Sequence, residues 1–189
     1  MSRFRLILLC VLTLAASLQA ASAESAAHLL AGTWRLVPER STDLSPWRSF
    51  DLVITADGSH LTLTRHLAAG RRTFDDVTVL NLTLPVNLVP VPMWSDNRHL
   101  GAYIGGDKTK HVRAELLDDG RILRTSADLV LDTQQGARAV NILTDYKVSA
   151  NGARLTLIEL RSTRNEPIVY VFARITATEA AHRTTGGAE

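Results

Sequence analysis

Leu29-Leu30-Ala31-Gly32-Thr33-Trp34-Arg35-Leu36-Val37-Pro38 is the stretch on which the reading of this chain turns. The glycine lets another segment approach the backbone where a Cβ would obstruct it. Trp34, two residues later, is the largest apolar anchor at hand, and its ring N–H needs an acceptor if it is buried. Pro38 ends the strand because it has no N–H to give to a ladder. These features read as the first strand of a closed β-meander, with Trp34 plugging one end.

Working outward, hydrophobicity alternates with period two. Phe50, Leu52 and Ile54 share one face, and Asp57-Gly58 marks a hairpin. Leu61, Leu63 and Leu67 share one face of the next strand, while His60, Thr62, Thr64 and His66 share the other. A single helical turn capped by Ser41 or Asp43 is expected in the connection after Pro38. A long β-rich run covers Thr73–Leu84. The segment Pro85–Trp94 is apolar but holds three prolines, so it reads as an extended loop or an edge segment, not an interior strand. A short strand is expected over His99–Ile104. Four further strands are separated by Asp118-Asp119-Gly120, Gln134-Gln135-Gly136, Asn151-Gly152 and Arg164-Asn165-Glu166-Pro167, and Ile168–Ile175 is the last. Short strands with turns every 8–12 residues indicate an all-β fold. The expected architecture is an antiparallel up-and-down meander barrel of about 8–10 strands.

The N-terminus carries an address. Arg3 and Arg5 precede an apolar run, Leu6–Leu18, and Ala21-Ser22-Ala23 has the small-x-small form of a cleavage site. Residues 1–23 thus read as a signal peptide, 24–176 as the barrel domain and 177–189 as a flexible tail. The expected product is exported, periplasmic or secreted, with no stable membrane span after cleavage. The single cysteine, Cys10, lies in the leader, so the mature chain has no thiol for a disulfide, a nucleophile or a zinc site. Removing Arg3 and Arg5 leaves 19 basic residues against 19 acidic ones, which gives no basic surface for nucleic acid.

The run Ala31-Gly32-Thr33-Trp34-Arg35-Leu36-Val37 resembles the Gly-x-Trp opening of lipocalin-like, calycin-type barrels. The step Pro38-Glu39-Arg40-Ser41 is similar to that of small exported bacterial proteins of this kind. The closing run Ile168-Val169-Tyr170-Val171-Phe172-Ala173-Arg174 also looks like the end of such barrels. The resemblance implies that Arg174 packs on Trp34 as a cation–π lid over the barrel base.

No motif dictates a reaction, so no catalytic residue, metal ligand or cofactor is assigned. His60 and His66 are six positions apart, roughly 20 Å along a strand, and cannot share one ion. Asp75 and Asp76 point to opposite faces, as neighbours on a strand must. Pro85–Trp94 resists a plain explanation best. Leu88, Val89, Val91, Met93 and Trp94 are expected to line the barrel mouth as part of a ligand pocket. The leading expectation is a barrel that binds a small, mainly hydrophobic ligand. The rival is an envelope module that holds a protein partner and has a packed interior, and the third reading is an enzyme acting on an exported metabolite. A pocket of a few hundred Å³ favours the first over the second. Protein recovered from the cell envelope should begin at Glu24, as N-terminal sequencing would show; a sequence starting at Met1 would reject cleavage.

Overall fold

Period-two alternation builds strands wherever the sequence carries it. In the computed structural model, which describes residues 28–44, 46–95, 103–176 and Glu179, eleven strands follow along the chain. They are β1 (Gly32–Leu36), β2 (Ser49–Asp57), β3 (His60–Ala69), β4 (Arg72–Asn81), β5 (Asn87–Pro90) and β6 (Tyr103–Ile104). The second half adds β7 (Thr109–Leu117), β8 (Ile122–Thr133), β9 (Gly136–Val148), β10 (Arg154–Arg161) and β11 (Ile168–Ile175). The leader and residues 99–102 lie outside the described residues, as does the tail apart from Glu179.

The strands form one antiparallel sheet in the order β4-β3-β2-β1-β11-β10-β9-β8-β7-β5, with the two-residue β6 paired to β8 off this path. The sheet is thus an up-and-down meander nearly closed into a barrel. First and last strands are neighbours, and the seam lies between β4 and β5. The count exceeds ten only through β6. The helical turn is a 3-10 turn at Pro38–Arg40, earlier than expected, because Pro38 presets the backbone for a first turn. Ser41 closes it from the C-terminal side, its hydroxyl donating to the Val37 carbonyl.

Inward rows make the core. Leu30, Trp34, Leu52, Ile54, Leu61 and Phe172 are almost fully buried toward one end. Phe50 meets Phe172 and Tyr170 edge to face at 5.0 and 5.6 Å. Outward rows carry cross-strand ion pairs, among them Arg35–Asp51 and Arg124–Asp145. Exposed pairs of this kind contribute ~0–1 kcal/mol each and serve mainly to favour the observed register.

The base is a tight assembly. Trp34 and Arg174 face each other across the β1–β11 ladder, and the guanidinium carbon lies 4.1 Å from the indole ring centre. The Trp34 N–H donates to the Leu30 carbonyl at 3.0 Å. Arg174 donates to the carbonyls of Ala31, Leu29 and Gly152, which fixes the guanidinium on three sides. Gly32 sits at φ +147°, and a Cβ there would fall 2.5 Å from the Arg174 Nη1. Only glycine leaves the cation its seat. Trp34→Ala should cost ~3–5 kcal/mol in urea denaturation, and Arg174→Ala ~0.5–2 kcal/mol. Gly32→Ala should also destabilise, and combined with Arg174→Ala it should lose less than the two single changes predict.

Candidate functional site

The barrel wall has three layers. The main core fills the base. At the opposite end Leu129, Leu131 and Val140 form a second small cluster, with Trp94, Ile104 and Ile142 packed on it. Between them the inward rows turn polar. On β3 the row Leu61, Leu63, Arg65, Leu67 places a guanidinium among leucines. On β10 the row Leu155, Leu157, Glu159, Arg161 ends in an ion pair, with Thr144 and Tyr146 beside it on β9. β4 adds Asp76 and Thr78, and β7 adds Lys110.

These side chains surround a cavity of about 80 Å³. That is several times the ~10–15 Å³ that one water needs on the same measure. It is smaller than the few hundred Å³ expected of a wide apolar pocket, so the interior is neither filled nor roomy. A larger depression of about 380 Å³, along Pro38, Thr42, Leu44 and Trp47, lies outside the barrel in the β1–β2 connection.

Arg65 reaches across the interior, and its Nη2 donates to the Tyr146 hydroxyl at 2.7 Å. Burial works against the Arg65 charge, but Tyr146, Asp76 and Glu159 outweigh it and hold the pKa above the ordinary arginine range. Glu159 and Arg161 are paired, with side chains only 6% and 7% exposed. Arg161 also lies over the Trp94 ring, 5.1 Å from its centre. The Lys110 Nζ donates to the Thr78 hydroxyl at 2.8 Å. Burial lowers the Lys110 pKa; Asp76 and Glu159 oppose that, and Arg65 adds to it. The lining thus holds three cations, Arg65, Lys110 and Arg161, against two carboxylates, Asp76 and Glu159.

The seam stands beside this cavity. Asn87, 6% exposed, accepts the Asn81 N–H at 2.7 Å on its side-chain oxygen. Its amide nitrogen donates to the Asn81 and Val112 carbonyls. A side-chain amide thereby replaces ladder rungs between β4 and β7. The Lys110–Thr78 hydrogen bond is the second link across the same gap.

The proline-rich segment divides. Residues 87–90 form an edge strand, and its alternation sends Leu88 outward at 67% exposure and buries Val89 in the main core. Neither lines the cavity, in contrast to the expectation for both. Val91, Met93 and Trp94 do line it. The Trp47 N–H donates to the Ser95 carbonyl at 2.8 Å and ties the end of this strap to the β1–β2 connection. The Trp94 indole N–H is buried without an acceptor among the described residues. The outer-face histidine His66 pairs with Asp75, and among the described residues no three His, Cys, Asp or Glu side chains gather as a metal site. No described helix is long and apolar enough to cross a membrane.

Sequence reading missed Arg65, Lys110, Tyr146, Glu159 and Arg161. A signal was present: Arg65 is in phase with Leu61, Leu63 and Leu67, and Glu159 with Leu155 and Leu157. A charge in phase with an apolar row faces the interior. Comparison with protein-family models and with curated proteins finds no match to this chain.

The lowered Lys110 pKa has a consequence for stability. The unfolded chain holds this proton up to the ordinary lysine pKa of about 10.5, and the folded protein releases it earlier. Stability therefore rises with pH between the folded and unfolded values, and the contribution is absent below both. Chemical denaturation from pH 7 to 10 should show a smaller rise for Lys110→Met than for the unaltered protein.

Proposed function

We propose that this protein is an exported lipocalin-like barrel that binds a small ligand in its interior. The observation that carries the reading is the polar middle layer around the free cavity. A barrel serving only as a scaffold gains most by filling this layer with apolar side chains, since buried charges are costly to desolvate. Here five charged side chains converge on open space instead. The Gly-x-Trp opening and the Arg174 lid support the lipocalin-like label, and the cleavage pattern of residues 21–23 supports export.

The ligand on this reading is compact and amphipathic. Val91, Met93, Leu129 and Ile142 offer it apolar contact, worth ~0.8 kcal/mol per buried methylene. The polar layer orients the other end. This narrows the expectation of a mainly hydrophobic ligand, which the small cavity volume and the charged lining do not favour.

A second reading, a module for a protein partner, rests on the outer face near the seam. Val77, Val79, Leu84, Val86 and Leu88 are each more than a third exposed there. Exposed apolar groupings of this kind mark interaction surfaces.

Trp94 separates the two. Ligand in the cavity should shift its emission, because the indole lines the space and stacks on Arg161. Titration with short-chain carboxylic acids and their amides should change tryptophan fluorescence, and Trp94→Phe should remove most of that change while leaving the fold intact. If the whole panel leaves Trp94 undisturbed, interior binding fails and the partner reading moves ahead.

A further inference from the structure

Resting on the interior-binding reading, we infer that the ligand is a monoanion with a short apolar tail, its carboxylate-type head seated among Arg65, Lys110 and Tyr146. The charges inside the barrel lead to this class. Arg161 and Glu159 satisfy each other in a buried pair. With that pair neutral overall, Arg65 and Lys110 outnumber the remaining carboxylate, Asp76, which leaves the lining an excess of one positive charge. Asp76 is the cross-strand neighbour of Arg65, yet the guanidinium hydrogen-bonds to Tyr146 on the opposite wall. Among the described residues, the hydrogen-bond partner of Lys110 is a neutral hydroxyl, that of Thr78. Both cations have donors to spare, five on a guanidinium and three on an ammonium.

The head groups come from opposite walls and converge, Arg65 from β3, Tyr146 from β9 and Lys110 from β7. Such a fork suits a planar anion, which accepts charge-assisted hydrogen bonds from two sides. Towards the mouth Met93, Trp94, Leu129 and Ile142 add apolar lining beside the Arg161–Glu159 pair. That apolar lining sets the tail toward the strap and the head toward the middle layer. The Trp94 N–H, without an acceptor among the described residues, lies at this end of the cavity.

Binding of an anion is then coupled to a proton. Lys110 faces Arg65 on β3, Asp76 on β4, Tyr146 on β9, and Glu159 and Arg161 on β10. In the empty barrel burial and the Arg65 charge disfavour its protonated form against the pull of the two carboxylates. A bound anion adds an attractive charge and raises the Lys110 pKa. Anion affinity therefore falls as pH rises above the Lys110 pKa of the empty barrel, by up to tenfold per pH unit, until the pKa of the bound form is passed.

Isothermal titration calorimetry with hexanoate and hexanamide tests this, since the two differ in charge and little in size. Hexanoate should bind at least tenfold more tightly at pH 7, and at least tenfold more tightly than sulfate, which has no tail. Lys110→Met and Tyr146→Phe should each weaken hexanoate severalfold and leave hexanamide within about threefold. Titrations in two buffers of different ionisation enthalpy, taken at rising pH, should reveal proton uptake with hexanoate, absent in Lys110→Met. Hexanamide binding as tightly as hexanoate would overturn the anionic head and leave interior binding standing. Sulfate matching hexanoate would overturn the tail. If neither hexanoate nor hexanamide binds, the interior-binding reading falls together with this one.

Discussion

The contact between the Arg174 guanidinium and the Trp34 indole is the constraint on which the barrel rests. It joins the last strand to the first, across a ladder where the two residues are direct partners. The runs β1–β4 and β5–β11 become one sheet only where the first and last strands pair, and chain connectivity alone does not bring these two together. The indole supplies the apolar mass at the base, and the cation seals it. Three backbone carbonyls then hold the cation in place. Gly32 is part of the same arrangement, because the space its missing side chain leaves is the space the guanidinium occupies.

Closure at the base transfers the difficulty to the far side of the barrel. The meander runs out at β4 on one edge and at β5 on the other, and no continuous ladder joins them. Prolines at 85, 90 and 92 restrict what this edge can pair with. Asn87 resolves the problem chemically, with one amide that both accepts and donates across the gap. The Lys110–Thr78 bond adds a second link, and it is a link made from a side chain that also faces the cavity. The closing of the wall and the electrostatics of the interior are therefore not independent.

The interior itself is a compromise between stability and chemistry. Apolar layers at both ends of the barrel shield a charged middle. Each charge there loses solvation on burial, and Glu159 and Arg161 recover part of it through a direct ion pair. The strap from Val91 to Ser95, pinned by Trp47, keeps that middle layer from opening fully to water. Shielding of this sort strengthens every electrostatic interaction inside, whether with a neighbour or with a ligand.

Much of this architecture was legible in the linear sequence, because it is written in local signals. Period-two alternation, turn residues and the Gly-x-Trp opening specify strands, their order and an antiparallel meander, since each depends on neighbours close in the chain. The proline count in 85–94 ruled out a central strand for the same reason. The face of each residue on β5 was another matter: Leu88 turned outward and Val89 into the core once the pairing with β7 set the register. The cavity chemistry was decided only by tertiary structure. Arg65, Lys110, Tyr146 and Glu159 lie on four different strands, and their meeting depends on barrel closure and on the relative stagger of strands far apart in sequence. Alternation shows that a charge faces inward, but which other charges share its level inside the barrel is set by the geometry of the closed sheet.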